Sequence, residues 1–366
     1  MTWVAIPWFG PELGPEERDA VASVMESTYL NDGEVTLAFE RAVAARLGVP
    51  YAVGVTSGTA AIALSLMAAD IGPGDEVLVP DFTFIATANA VRLAGACVKL
   101  VDIDPVTLAI SVEAARQSIG KTTRAIVPVD VNGRGAHYDA LHKLCAEHGL
   151  VLIFDSCEGL GSRYRGRPLG TFGLAGCFSF SPNKIVTCGQ GGMVVTNEAS
   201  LHDRLRELKD QGRRQPGSGG DDLHPALGFN FKLTNLQAAI GLVQLKRLDE
   251  RLEHARRIRR LYREGLDGLP GVTLLPDDVD GGTVLQWSDA LIVDRARACD
   301  ALDAARIGHR RFWHPLHTQG PYAADAAAFP NSRRASARGL WLPSHYSLKD
   351  SDVERVCEVL RAALRA

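Results

Sequence analysis

This 366-residue chain has no Cys-x-x-Cys pair, no His-x-x-x-His spacing and no Gly-x-Gly-x-x-Gly loop. The first two absences argue against a zinc site and a metal hydrolase, the third against a dinucleotide cofactor. Its seven cysteines are an odd number and lie far apart, so no disulfide framework is implied and a reduced cytosol is the expected compartment. The first residues, Met1-Thr-Trp-Val-Ala-Ile-Pro7, lack a basic start, an apolar stretch and a small-residue cleavage site. No later run of about 18 apolar residues could cross a bilayer. The expectation is a cytoplasmic protein without membrane partners. With 40 Lys+Arg against 43 Asp+Glu, there is no field of one sign to attract nucleic acid. Basic residues gather between Arg251 and Arg263, but they alternate there with Leu and Ile at helical spacing, which reads as a solvated helix face. Internal repeats are also absent.

What remains is a chain 46% hydrophobic, long enough for about two domains at roughly 150 residues each. Short runs rich in Val and Ile recur at 51–57, 76–80, 97–103, 125–130, 151–156, 177–182 and 191–197, separated by helical patterns. Strands that alternate with helices and are apolar on both faces predict a mostly parallel sheet covered on each side. The spacing from Leu236 to Leu266 predicts one or two long helices leaving this α/β domain. A β-rich stretch and a terminal helix over Asp350 to Arg365 then form a smaller α+β domain. The expected division is 1–245 and 246–366. Residues 211–223, rich in Gly, Asp and Arg, have too little apolar content to pack and are expected to be a mobile loop.

Three polar segments fall at or just past strand ends, where ligands collect in open α/β sheets. Ser57-Gly58-Thr59 follows a strand and opens a helix, a geometry that suits an anion and equally suits an ordinary helix cap. Asp155 ends the buried run Ile153-Phe-Asp155, where a carboxylate needs a cationic partner or serves to cap the next turn. Lys184 lies between the apolar Phe178-Ser-Phe and the turn Gly189-Gln-Gly-Gly192. A lysine and an aspartate so placed are what pyridoxal phosphate chemistry needs: an amine to condense with the aldehyde and an acid to hold the pyridine nitrogen protonated. Phe84, in Asp81-Phe-Thr-Phe-Ile-Ala-Thr87, suits either a cofactor ring or the core.

Together these residues resemble the DegT/StrS-type sugar aminotransferases, members of the fold-type I pyridoxal phosphate enzymes with an aspartate aminotransferase-like α/β fold. The resemblance runs through Ile6-Pro7, Leu30-Asn-Asp-Gly33, Phe39-Glu40, Ser57-Gly-Thr-Ala-Ala61, Gly72-Pro-Gly-Asp-Glu-Val77 and Thr83-Phe-Ile-Ala-Thr-Ala-Asn89. It continues in Asp155-Ser-Cys-Glu-Gly-Leu-Gly161, Phe178-Ser-Phe-Ser-Pro-Asn-Lys184, Gly228-Phe-Asn-Phe-Lys-Leu-Thr-Asn235 with the helix to Gly241, and Pro315-Leu-His317.

The resemblance implies that Lys184 carries the cofactor and shuttles protons, and that Asp155 holds the pyridine nitrogen protonated. It implies that Ser179 and the Ser57, Gly58 and Thr59 turn bind the cofactor phosphate, that Phe84 covers one ring face, and that Glu158 lies against the other face or the ring oxygen. Asn230 and Lys232 match a segment that reaches the neighbouring subunit's phosphate, implying a homodimer with shared sites. Asn31 and His317 are implied to lie by the substrate, though a histidine in this setting is as often structural. Glu158, where most relatives carry His or Gln, resembles perosamine synthases, which act on a GDP-linked 4-keto-6-deoxy hexose. Gln190 and Lys232 replace a common glutamate and arginine, and Lys184 separates the chain from relatives that carry histidine there and dehydrate. The implied reaction moves an amino group from L-glutamate to a keto group of a nucleotide-linked sugar. A ketocyclitol aminotransferase, or a non-catalytic protein that keeps the cofactor, are the competing readings.

Overall fold

Runs of Val, Ile and Leu, buried on both faces except at the edge strand 97–101, form a seven-stranded sheet in the computed structural model, which describes residues 5–213, 223–278 and 281–365. Most of the loop expected at 211–223 therefore lies outside the described residues. The strands are β1 (Tyr51–Val55), β2 (Glu76–Pro80), β3 (Cys97–Val101), β4 (Thr123–Ile126), β5 (Val151–Asp155), β8 (Ala175–Ser179) and β9 (Gly192–Thr196), after a small hairpin of β6 (Arg163–Tyr164) and β7 (Arg167–Pro168). Their order is β1-β9-β8-β5-β4-β2-β3. Each apolar run expected to be a strand is one. The strands from β3 across to β8 pair in parallel. β9 departs from that: it runs antiparallel to both β1 and β8, because the segment 180–191 returns without the helical crossover a parallel neighbour needs.

Alternation along β5 shows how the sheet serves two layers at once. Ile153 packs into the cluster built around the helix Gly58–Ala68, with Val55, Cys177 and Val194, while Leu152 and Phe154 face Tyr138, Leu141 and Leu144 on the opposite side. Both layers hold the C-terminal end of β5, and with it Asp155, in one place.

Downstream, the two expected helices are Asn235–Lys246, started by a capping box of Thr234 and Gln237, and Leu248–Leu266. The basic face expected to be solvated needs correction. Arg257, Arg260 and Arg263 are exposed, but Arg251 and Arg259 are buried because their guanidinium groups find acceptors inside the protein. Arg251 donates to the Ile185 carbonyl, and Arg259 to Asp277 and to the Leu275 and Asp289 carbonyls. A second, four-stranded antiparallel sheet follows, ordered β10 (Val272–Thr273), β11 (Asp289–Ile292), β13 (Gly339–Trp341), β12 (Arg310–Arg311). The terminal helix Asp350–Arg365 spans the expected residues and packs Val356 and Leu360 against Tyr262 and Leu266.

One buried ion pair joins the two sheets. Arg134, just after β4, meets Asp289 of β11 through two bonds of 2.6 and 2.7 Å, both side chains almost fully buried. Burial alone would raise the Asp289 carboxyl, but Arg134 and Arg259 hold it below the ordinary value. Removing Arg134 leaves the buried Asp289 charge answered only by Arg259 at 3.6 Å and by the Asn132 amide. Arg134→Ala is therefore expected to lower stability by about 3 kcal/mol, and Arg134→Met with Asp289→Leu recovers only part of the loss because Arg259 and Asn132 then lose an acceptor. Urea midpoints of the three proteins check this.

Candidate active site

The carboxyl ends of β1, β5 and β8 open onto a cavity of about 390 Å³, walled on the far side by Trp287, Arg310 and Trp313 from the second sheet and its flanks. From β1 comes the Ser57–Thr59 turn. Ser57 caps the helix Gly58–Ala68, its Oγ accepting from the Ala60 N–H at 3.1 Å, so the capping reading holds. The first-turn N–H groups of Gly58 and Thr59 have no intrahelical acceptor by helix geometry and lie at the cavity wall. A Cβ on Gly58 would stand 2.6 Å from Cys157 Sγ and 3.0 Å from Ser179 Cβ, so only glycine lets this turn approach the ends of β5 and β8. Ser179 bonds Ser181 Oγ at 2.9 Å on the same wall.

Asp155 is 5% exposed. Its Oδ2 accepts from Thr87 Oγ1 at 2.7 Å, and its Oδ1 from the Cys157 N–H at 3.1 Å. The second bond is the turn cap weighed from the sequence. Among the described residues no cationic side chain pairs with Asp155, yet it lines a cavity. A buried carboxylate with only neutral donors is complementary to a cation brought in from outside, and a protonated pyridine nitrogen is one.

Lys184 faces the same space, with Nζ 3.1 Å from Glu158 Oε1 and 5.5 Å from the Trp287 ring centroid. Glu158 is fixed from behind by the Asn132 N–H, which donates to Oε2 at 2.7 Å. Asn132 holds a left-handed φ of 56° and is fully buried. Its side chain is bonded on both ends to the Trp287 backbone and also to Asp289 Oδ2. One turn thus positions both neighbours of the lysine. A helix-start anion seat, an amine and an unpaired carboxylate within one cavity fit pyridoxal phosphate.

Asp130 lies directly behind this wall, donating its N–H to the Asp155 carbonyl. Burial pushes its carboxyl up to about 7 against the bonds from Ser156 and Tyr138. A carboxyl raised in the folded state binds its proton more tightly there than in the unfolded chain. It therefore adds stability that is complete below its unfolded value near 3.8 and is lost as pH rises through about 7. Relative to Asp130→Asn, the parent protein is expected to lose stability steadily from pH 4 to 7, which urea midpoints across that range check.

Ser57, Gly58, Thr59, Phe84, Asp155, Glu158, Ser179 and Lys184 thus share one cavity. Four residues do not join them in a single chain. His317 is 4% exposed, 2.7 Å from Asp81 through Nδ1 and stacked on Phe329, away from the cavity wall. Asn31 is exposed and accepts the Asn235 N–H through its carbonyl. Asn230 is exposed, and Lys232 donates to Asp210 at 2.6 Å. Sequence reasoning missed Thr87, which sits in a quoted segment, and also Trp287, Arg310 and Trp313, for which no local pattern gives a signal.

Comparison with known proteins agrees with this geometry. The profile of the DegT/DnrJ/EryC1/StrS aminotransferase family matches residues 11–361. The chain is 37% identical to a GDP-perosamine synthase of Caulobacter vibrioides, over 97% of each chain. It superposes on DesV of S. venezuelae with a TM-score of 0.91 at 33% identity, over 96% of this chain and 95% of that one. With DesI, solved in the presence of its TDP-sugar product, the TM-score is 0.89 at 32% identity, over 99% and 93%.

Proposed function

The chain belongs to the DegT/DnrJ/EryC1/StrS aminotransferase family, whose members work with pyridoxal phosphate, and from that premise we propose that it moves an amino group from L-glutamate to the keto carbon of a nucleotide-linked 4-keto-6-deoxy sugar. The observation that carries the reading is the meeting of Lys184 and Asp155 in one cavity beside a helix-start anion seat. When bound, pyridoxal phosphate supplies an aldehyde that exchanges amino groups and a ring that draws electrons from the adjoining carbon.

The chain's own residues do the rest. Gly58, Thr59 and Ser179 bind the phosphate through backbone N–H groups and a hydroxyl. Asp155 keeps the pyridine nitrogen protonated, and Phe84 and Trp287 exclude water from the ring. Lys184 Nζ holds the cofactor and then carries the proton between donor and acceptor carbons, with Glu158 restraining the free amine at 3.1 Å. Asn230 and Lys232, standing away from this chain's cavity, serve the partner's site in a cytoplasmic homodimer. The 37% identity to a GDP-perosamine synthase supports a GDP-linked acceptor.

A panel of GDP-, TDP- and UDP-linked 4-keto-6-deoxy sugars, with a nucleotide-free ketocyclitol, tests the reading. Amination of the GDP-linked sugar in preference to the others is expected. Amination of the free ketocyclitol alone would replace the nucleotide-sugar assignment.

A further inference from the structure

Four of the chain's five tryptophans cluster along and behind the far wall of the cavity, and one arginine stands among them. Arg310, on β12, lines the cavity with its guanidinium carbon 5.3 Å from the ring centroid of Trp8 and 5.6 Å from that of Trp341. Trp341 is its register partner on β13. Trp287 and Trp313, both packed on Trp341, complete the wall.

Lys184 and Arg310 are the two cationic side chains that line this cavity, and they are spent differently. Lys184 is committed to Glu158. The Arg310 guanidinium makes no hydrogen bond or ion pair with any described residue; only the indole faces hold it. A guanidinium fixed by ring faces is partly desolvated and oriented while its N–H donors stay available. Such a fork matches a carboxylate or a phosphate bidentately. Asp155 and Glu158 line the same cavity nearer the sheet, so an anionic substrate group has reason to settle at Arg310.

We propose that Arg310 is the oxyanion-recognition residue of the substrate mouth, taking the carboxylate of the amino donor or the diphosphate of the sugar acceptor. This rests on the aminotransferase reading for the identity of the two substrates. The tryptophans act as positioning residues that hold the fork open toward the cavity. Arg310 fixes how the substrate lies and takes no part in proton transfer.

Arg310→Met keeps an apolar stem on the indoles and removes the fork; Arg310→Lys keeps the charge alone. Calorimetric titration of the cofactor-loaded proteins uses two unreactive probes, glutarate for the carboxylate and GDP for the diphosphate. Thermal midpoints confirm that each variant is folded. Arg310→Met is expected to weaken one probe by about ten- to a hundredfold, with Arg310→Lys between it and the parent. Loss on glutarate assigns the donor carboxylate, and loss on GDP the diphosphate. Unchanged binding of both probes in Arg310→Met, or no binding of either to the parent, overturns the proposal and leaves Arg310 as packing for the tryptophans. Neither titration needs turnover. A parent that binds a probe through Arg310 yet aminates no keto compound would refute the proposed function and not this site.

Discussion

Lys184→Ala is expected to lower turnover by at least about 10⁴-fold while leaving the fold intact. Two losses combine in that figure: the covalent hold on the cofactor and the positioned base that moves the proton, the second alone worth about 10²–10⁴-fold. Folding survives because Lys184 lines an open cavity and its partner, Glu158, keeps its bond from the Asn132 N–H. Lys184→Arg does not restore activity, since a guanidinium stays charged and cannot accept the proton. Steady-state rates with L-glutamate and the preferred keto sugar, beside melting curves of all three proteins, check the expectation. A loss of less than tenfold would place the chemistry elsewhere.

Asp155→Asn is expected to lower kcat by about 10²–10³-fold and, without cofactor, to raise the melting temperature. The second half of that statement comes from burial. In the protein alone the Asp155 carboxylate is 5% exposed and answered only by a hydroxyl and a backbone N–H, so its charge is held out of water without a cationic partner. A neutral amide of the same shape escapes that cost. With pyridoxal phosphate bound the order reverses, because the charge then has the ring nitrogen to answer it. The gain in melting temperature on adding cofactor is accordingly larger for the parent than for the variant. An aspartate that served only to cap the Ser156–Cys157 turn would give neither effect, with Asp155→Asn near neutral for both rate and cofactor gain.

Those residues were readable from the chain because each sits where a local pattern changes. Asp155 interrupts the run Val151-Leu-Ile-Phe, and Gly58 opens a helix directly after β1. A strand buried on both faces writes itself as a continuous apolar run, so β2, β5 and β8 were legible as strands. The direction of β9 was not, since direction depends on the connection at 180–191 and not on the residues of the strand. The two-residue strands β10 and β12 are too short to carry a period.

The far wall of the cavity was illegible for a different reason. Trp287, Arg310 and Trp313 reach the cavity only through the packing of the second sheet on the first, which the Arg134–Asp289 pair and the Asn132 side chain secure across about 155 residues of chain. His317 shows the same limit in reverse. Its motif leaves a substrate role and a structural one open, and Asp81, 236 residues away and 2.7 Å from its Nδ1, is a partner that the motif does not announce. Arg251 and Arg259 look like surface charge in the sequence because their acceptors, the carbonyls of Ile185, Leu275 and Asp289, leave no mark in a helical pattern.

The visible spectrum of the purified protein with pyridoxal phosphate, recorded before and after L-glutamate alone, tests the central claim most directly. The account predicts an absorption band of lysine-bound cofactor that L-glutamate abolishes, that 2-oxoglutarate restores, and that Lys184→Ala lacks from the start. A protein that binds no cofactor, or whose band in the parent matches that of Lys184→Ala, would contradict it.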